Sequence, residues 1–364
     1  MIANFLILVG MLSFILGLIA SNKFSDNVFY FLTKKVFPDR LSSNKSVYFV
    51  VFGILGFLVF YINDFSVAKV LFRGLVEDEV QQTISLNQSE SLIFNSFLRP
   101  MPLILLAIYF YAYNQNLCKF RGGVYESFVL FIFFIISIFL VFPTSISRFQ
   151  VAALYIPMLI LFTNFWDKPY RMQITILSAL LIVFPFLEKF RRFNPETFSW
   201  KLDMDFLNHG HFDAYQNFVR VLENDFITYG NQLLGVVLFF IPRTLWETKP
   251  IGSGAALAES IGLSFSNISM PFLAEGYVNM GVLGVFTFMF VLGYILNLLD
   301  SVAWKIKSMQ RESLFLYYYY FLFGMIFFMM RGDLMSSFAF TLGLTVSFFF
   351  LVYLLKLFKL KFKF

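Results

Sequence analysis

Long runs of apolar residues, separated by short polar segments, dominate the hydrophobic pattern of this chain. A helix needs about 20 mostly apolar residues to cross roughly 30 Å of hydrocarbon, and continuous rather than alternating runs favour helices. The pattern therefore predicts an all-α polytopic integral membrane protein. The nine runs that we assign as spans are 2–21, 46–63, 98–115, 124–142, 149–165, 172–187, 276–299, 313–330 and 334–355.

Two apolar segments affect this count. The first run, Phe5–Ala20, lacks a basic stretch and a small-residue cleavage site, so we expect a retained span rather than a signal peptide. The segment Leu233–Ile241 is too short to span and ends before Pro242, which indicates a re-entrant hairpin or an interfacial helix. If it crosses together with a further hidden span, the count rises, so we expect about nine to twelve transmembrane helices.

The basic residues predict which ends of the spans face the cytoplasm. Lys and Arg cluster in alternate connections, and cytoplasmic loops carry that excess. This places the N-terminus outside and the C-terminus inside. The basic segments are 22–45, 116–123, 166–171, 300–312 and the C-terminal tail.

The same alternation leaves one long connection on the periplasmic side. We predict a first transmembrane bundle over 1–187, a long periplasmic loop with short helices over 188–275, and a second bundle with a basic tail over 276–364. Loops held by a rigid scaffold are where binding and catalytic residues concentrate. We therefore expect the functional residues mainly in 188–275.

Composition agrees with a membrane protein and excludes several functional classes. Hydrophobic residues make up 59% of the 364 residues and charged residues 14%, whereas soluble domains carry about 25% charge. The net charge is +6, and the basic residues that produce it cluster between the apolar runs. This placement indicates membrane topology and contact with membrane lipids rather than nucleic-acid binding. The single cysteine, Cys118, forms no internal disulfide.

Both histidines of the chain lie in the long loop. The spacing of His209, His211 and Asp213 matches no recognised metal-ligand pattern, so we predict no metal and no other cofactor. An imidazole near neutral pH is a suitable proton acceptor for a hydroxyl group. A loop that is polar only because it meets water is the alternative.

The sub-segment Ile241–Pro271 has the composition of an anion site. Arg243 and Lys249 flank Trp246, and Gly252-Ser253-Gly254 precedes a predicted helix whose first N–H groups would face an anion. A Pro/Gly-rich loop with a snorkelling arginine is the alternative interpretation.

Three arginines lie at the outer ends of predicted spans, where short loops normally avoid basic residues. Arg99, Arg148 and Arg331 could line a cationic bowl for a phosphate-bearing substrate. Headgroup anchoring, or an ion pair such as Arg331 with Asp333, explains them equally well.

Several strings within about 209–284, roughly a fifth of the chain, resemble the bacterial O-antigen repeat-unit polymerases called Wzy. The start of the fifth span fits as well, although that family usually has ten or more spans. The strings are Gly210-His211-Phe212-Asp213-Ala214-Tyr215, Pro242-Arg243-Thr244-Leu245-Trp246 with Lys249-Pro250, Gly252-Ser253-Gly254, Pro271-Phe272-Leu273-Ala274-Glu275-Gly276-Tyr277 with Asn279 and Gly281, and Ser147-Arg148-Phe149.

The resemblance implies an enzyme of the bacterial inner membrane. Its substrates would be undecaprenyl-pyrophosphate-linked oligosaccharide repeats, joined at the periplasmic face by transfer of the growing glycan onto an incoming repeat. Lipid pyrophosphate would leave, and a chain-length regulator, Wzz, would be a partner.

We assign candidate roles on this chemistry, in which cations stabilise the leaving group and a polar side chain orients the acceptor hydroxyl. The catalytic candidates are His211, Asp213 and Arg243. The substrate-binding candidates are Arg148, Arg191, Arg192, Trp246, Lys249, Glu275, Tyr277 and Arg331. Among these, Glu275 and Tyr277 are predicted sugar contacts, and Arg148, Arg243 and Lys249 are predicted pyrophosphate ligands.

Two other functions are alternatives to a polymerase. The related O-antigen ligase also uses a long outer loop and arginines. A flippase for lipid-linked sugars would have short loops and charges along the middle of the bundle, whereas here charge concentrates in one outer loop.

Overall fold

A computed structural model describes residues 1–37, 41–42, 44–72, 94–115, 124–163, 169–183, 213–266 and 268–361. Throughout these ranges the regular structure is helical, as the hydrophobic pattern predicts. The chain divides into two compact units. Unit 1 comprises Met1–Val36, Asp205–Arg311 and Met325–Phe340, and unit 2 comprises Phe37–Met204, Glu312–Gly324 and Thr341–Phe364.

The α-helices are, in chain order, α1 (Ile2–Ser21), α2 (Ser25–Phe31), α3 (Lys45–Ile62), α4 (Val67–Leu71), α5 (Met101–Asn114), α6 (Val124–Leu140), α7 (Arg148–Phe162), α8 (Pro169–Ser178), α9 (Ala214–Glu223), α10 (Asn231–Val237), α11 (Ser253–Ser260), α12 (Phe272–Ser308), α13 (Leu314–Arg331) and α14 (Leu334–Lys361). A 3-10 turn covers Asn22–Phe24, and π-helical turns cover Leu32–Val36, Phe94–Leu98 and Ala179–Val183.

Six helices in the described part of the chain are long and apolar enough to cross a membrane, as expected of a multi-pass membrane protein. The other three predicted spans coincide with shorter apolar helices, so nine to twelve crossings stays a prediction. The six are Ile2–Val36, Lys45–Ile62, Asn95–Asn114, Phe272–Ser308, Leu314–Arg331 and Leu334–Phe358, and the shorter ones are Ser127–Leu140, Arg148–Phe162 and Tyr170–Val183.

Unit 1 is built on the pair α1 and α12, which pack with their backbones close together. A Cβ on Gly17 would overlap the carbonyl oxygen of Phe290, and a Cβ on Gly293 would overlap that of Phe14. Small residues permit this approach between apolar helices, where van der Waals packing replaces the hydrophobic driving force. The pair therefore depends on glycine at both positions.

Contacts along this pair show that the two helices run parallel. A Cβ on Gly10 would lie 3.3 Å from Met289 Cγ, and farther along the side-chain amide of Asn297 donates to the carbonyl of Leu18 at 3.0 Å. Contact positions thus advance in the same direction on both helices. The charge pattern predicts the same, since spans 2–21 and 276–299 both run from outside to inside.

Helix α12 is broken near its start. Met280 and Gly281 leave helical geometry, and Gly281 has φ 59° and ψ −144°, a conformation open to glycine. Residues 272–279 fold back along the following helix, so that the rings of Phe272 and Phe288 lie 5.5 Å apart. The break places the start of α12 beside the body of the long helix rather than at its end.

We expect Gly17→Leu to destabilise unit 1, because the side chain would occupy the space of the Phe290 carbonyl. Overpacking of this kind costs about 1–3 kcal/mol. Thermal unfolding and size-exclusion behaviour of the purified protein measure the effect. Gly53→Leu is the matched control, since a Cβ at Gly53 meets nothing within 4 Å; equal loss in both variants would contradict the close α1–α12 contact.

Candidate functional site

An ion pair between Asp213 and Arg331 is the centre of the candidate site in unit 1. Arg331 Nη2 lies 3.7 Å from Asp213 Oδ1, with side-chain exposures of 32% for the arginine and 10% for the aspartate. The aspartate also accepts hydrogen bonds from Ser269 Oγ at 2.5 Å and Asn217 Nδ2 at 2.8 Å. A buried carboxylate that accepts several hydrogen bonds thus holds a partly exposed guanidinium.

One face of α9 extends this cluster. Asp213, Asn217 and Arg220 recur at helical spacing, which places them on the same face. Asn217 is fully buried, donates to the carbonyl of Ser269 at 2.8 Å and accepts from Arg220 Nη1 at 2.8 Å. Sequence reasoning missed Arg220, although the i, i+4, i+7 polar spacing before Glu223 was the signal that could have found it.

The Gly252-Ser253-Gly254 turn binds a carboxylate of the chain itself. Asp333 Oδ2 accepts from the backbone N–H of Gly254 at 3.3 Å, and its Oδ1 accepts from Ser336 N–H at 3.2 Å. A Cβ at Gly252 would lie 2.5 Å from Asp333 Oδ2, so a larger residue there would displace the Asp333 carboxylate. Burial raises the pKa of Asp333, while the backbone N–H donors oppose that rise.

The predicted sugar contact Glu275 lies at the same junction but faces the protein. Its side chain is fully buried. Oε1 accepts from the backbone N–H of Leu334 at 2.8 Å, and Oε2 accepts from Ser253 Oγ at 2.7 Å. Both carboxylate oxygens therefore bond to neighbouring helix starts.

The predicted pyrophosphate ligands Arg243 and Lys249 bond to backbone carbonyls. Arg243 is exposed, and its Nη1 donates to the carbonyl of Lys249 at 2.7 Å. Lys249 Nζ donates to the carbonyls of Phe239 at 2.5 Å and Ile241 at 2.8 Å. Burial, with the nearby Arg243 charge, lowers the pKa of Lys249. These two cations thus organise the turn after α10.

The two predicted aromatic contacts, Trp246 and Tyr277, each form a hydrogen bond with a different polar side chain. Trp246 donates from Nε1 to Thr248 Oγ1 at 3.2 Å, and the Tyr277 hydroxyl donates to Asp225 Oδ1 at 3.2 Å. Both side chains are partly exposed. Each is therefore accessible to a ligand, but neither is bonded to the Asp213–Arg331 pair.

The remaining predicted residues fall elsewhere. Arg148 belongs to unit 2, where it begins α7 behind a capping box formed by Ser147 and Gln150. Arg99 is buried in unit 2, and its Nη1 donates to Asn95 Oδ1 at 3.2 Å. Arg191, Arg192, His209 and His211 lie outside the described residues.

The short apolar segment 233–241 begins within α10. Val236 packs with Phe272, Met289 and Leu334 in one buried cluster, and the Phe239 and Phe338 rings lie 6.1 Å apart. The segment thus lies against the body of α12 and the first turns of α14. Its choice between re-entrant and interfacial placement stays a prediction.

The chemistry open to this site follows from its side chains. A carboxylate fixed by hydroxyl and amide donors can orient a substrate hydroxyl, and two partly exposed guanidiniums, those of Arg331 and Arg220, can bind phosphate oxygens. The described residues contain no group of three or more His, Cys, Asp or Glu side chains placed to hold a metal ion.

Comparison of this chain with protein-family models, with curated proteins and with solved structures finds no match.

Proposed function

We propose that this chain is a polymerase of undecaprenyl-pyrophosphate-linked O-antigen repeats, an integral membrane glycosyltransferase of the bacterial inner membrane. It transfers the growing glycan onto an incoming lipid-linked repeat at the periplasmic face. The observation that carries the proposal is the half-exposed Arg331 guanidinium held beside buried Asp213. The motif resemblance over 209–284 supplies the substrate class.

The proposed reaction needs charge stabilisation more than covalent assistance. The acceptor hydroxyl oxygen bonds to the anomeric carbon of the growing glycan, and the bond from that carbon to the diphosphate oxygen breaks. The electron pair leaves with the lipid diphosphate, and a base takes the hydroxyl proton. Preorganised cations beside the leaving diphosphate lower the barrier because negative charge develops there.

Each residue of the site has a role in this proposal. Arg331 and Arg220 bind the diphosphate, since planar guanidiniums grip phosphate oxygens through paired hydrogen bonds. Asp213 keeps Arg331 in place and orients the acceptor hydroxyl. His211, two residues earlier in the sequence, keeps its predicted role as proton acceptor.

The position of the site along α12 also supports the proposal. Leu334, three residues after Arg331, belongs to the same buried cluster as Met289. Met289 precedes Lys305 by sixteen residues, roughly 24 Å at 1.5 Å per residue. Because the basic Lys305 end is the predicted cytoplasmic end, the site would lie in the outer part of the membrane, where a lipid-borne diphosphate arrives.

We expect Arg331→Ala to lower polymerisation about 10²–10³-fold, because a cation at the leaving group is lost. Arg331→Lys should retain an intermediate rate, since a point charge remains without the planar fork. Polymer formed from purified lipid-diphosphate-linked repeat in proteoliposomes measures both. Arg311→Ala, at an exposed arginine near the opposite end of α12, is the control; equal rates for the Arg311 and Arg331 variants would remove Arg331 from the site.

We expect Arg220→Met to weaken substrate binding, raising KM roughly tenfold with a smaller change in kcat. Its guanidinium donates to Asn217, which in turn donates to Asp213, so Arg220 adds positive charge one residue away from the central ion pair. Initial rates over a range of lipid-linked repeat concentrations test this. Arg220→Lys should recover most of the affinity, and an unchanged KM in Arg220→Met would exclude a substrate contact.

The general function is tested in cells lacking the chain. If the chain is a polymerase, cells without it should make finished outer glycans that carry only single repeats. Accumulation of polymer that is never attached would indicate a ligase, and loss of all periplasmic repeats would indicate a flippase. Polymer formed in proteoliposomes without nucleotide or added metal would be the direct demonstration.

A further inference from the structure

We propose that Glu275 is a positioning residue that fixes Arg331 by pinning the turn between α13 and α14. The inference rests on the proposed function for its kinetic consequence. Its structural part, the two hydrogen bonds that Glu275 accepts from Leu334 and Ser253 and that we call the pin, does not depend on that function. It assigns Glu275 a different role from the sugar contact predicted from the sequence.

Glu275 is unsuited to touch a glycan. The side chain is fully buried, and each carboxylate oxygen accepts a hydrogen bond from the protein, one from Leu334 N–H and one from Ser253 Oγ. Because the Glu275 side chain is 0% exposed, a glycan could reach the carboxyl group only if the residues packed around it moved apart. The two bonds therefore define the function of the carboxylate.

These bonds join three helix starts. Leu334 is the first residue of α14, Ser253 is the first residue of α11, and Glu275 lies in the first turn of α12. First-turn N–H groups have no partner within their own helix, and a carboxylate there is favoured by the helix dipole. Asp333 completes the junction through its bonds to Gly254 and Ser336. Two acidic side chains thus hold α11, α12 and α14 together.

A short, tightly bonded turn connects the Glu275–Ser253–Leu334 junction to Arg331. Only Gly332 and Asp333 separate the end of α13 at Arg331 from the start of α14 at Leu334. Gly332 N–H donates to the Phe328 carbonyl at 2.7 Å, and a Cβ on Gly332 would lie 2.9 Å from that oxygen. A shift of the Leu334 backbone therefore passes directly to Arg331 and changes its distance from Asp213.

A series of substitutions at Glu275 separates the effect of side-chain length from the effect of the carboxyl group. Glu275→Ala removes both bonds, and Glu275→Asp keeps the carboxyl group on a shorter side chain. Glu275→Gln keeps an acceptor for Leu334 N–H, but its amide would have to donate to Ser253 Oγ. Glu259→Ala is the matched control, because Glu259 is an exposed glutamate on α11.

The first measurement is amide hydrogen exchange of the full-length protein in detergent, without substrate. Glu275→Ala should speed exchange by roughly tenfold or more in peptides covering 332–338 and 253–258, which are far apart in sequence, while Glu275→Gln should speed it less. Unchanged exchange in both peptides would overturn the pin. This readout decides the structural part even if the protein has no polymerase activity.

The second measurement is a double-substitution cycle in the proteoliposome assay. Glu275→Ala alone should lower kcat by roughly 10–100-fold with KM nearly constant, since misplacement by about 1 Å has effects of that size. In an Arg331→Ala background it should lower the rate by no more than about twofold, because the residue through which it acts is gone. Additive losses, or a raised KM with unchanged exchange, would instead indicate a direct glycan contact and overturn the proposal.

Discussion

The packing of buried carboxylates against helix N-termini is the constraint on which the rest of unit 1 depends. Glu275 is fully buried and Asp333 partly so, and close acidic groups repel each other and lose hydration. What offsets this is a set of donors from the starts of α11 and α14, whose first N–H groups need acceptors in any case. The acids and the helix starts thus satisfy each other's hydrogen-bonding groups.

This junction also explains why the polar residues of the site are ordered. The α13–α14 turn is held on one side by Glu275 and on the other by the Arg331–Asp213 pair. Asp213 is in turn fixed by Ser269 and by α9 through Asn217. The half-exposed guanidinium therefore has a defined position, which a diphosphate-binding group requires because electrostatic stabilisation depends on preorganisation.

Hydropathy predicted the helical class and the approximate location of the membrane helices, because lipid forces backbone groups to bond within each apolar run. It did not predict the break at Gly281 or the fold-back of 272–279, since that conformation leaves no mark in apolar content. The predicted span 276–299 contains this break, and it lies within Phe272–Ser308, which is long and apolar enough to cross a membrane. The glycines Gly17 and Gly293 looked like ordinary apolar positions until their opposing carbonyls were known.

The sequence by itself determined which groups need hydrogen-bond or ion-pair partners. These are the cations next to Trp246, the Gly-Ser-Gly turn before a helix, and the arginines at span ends. Only the tertiary structure decided the partners. The anion at Gly254 is Asp333, 79 residues away, and Arg331 faces Asp213 rather than its neighbour Asp333. Hydrogen-bonding need is a local property of a residue, whereas its satisfaction depends on which distant segments the packing of apolar helices brings within about 3 Å.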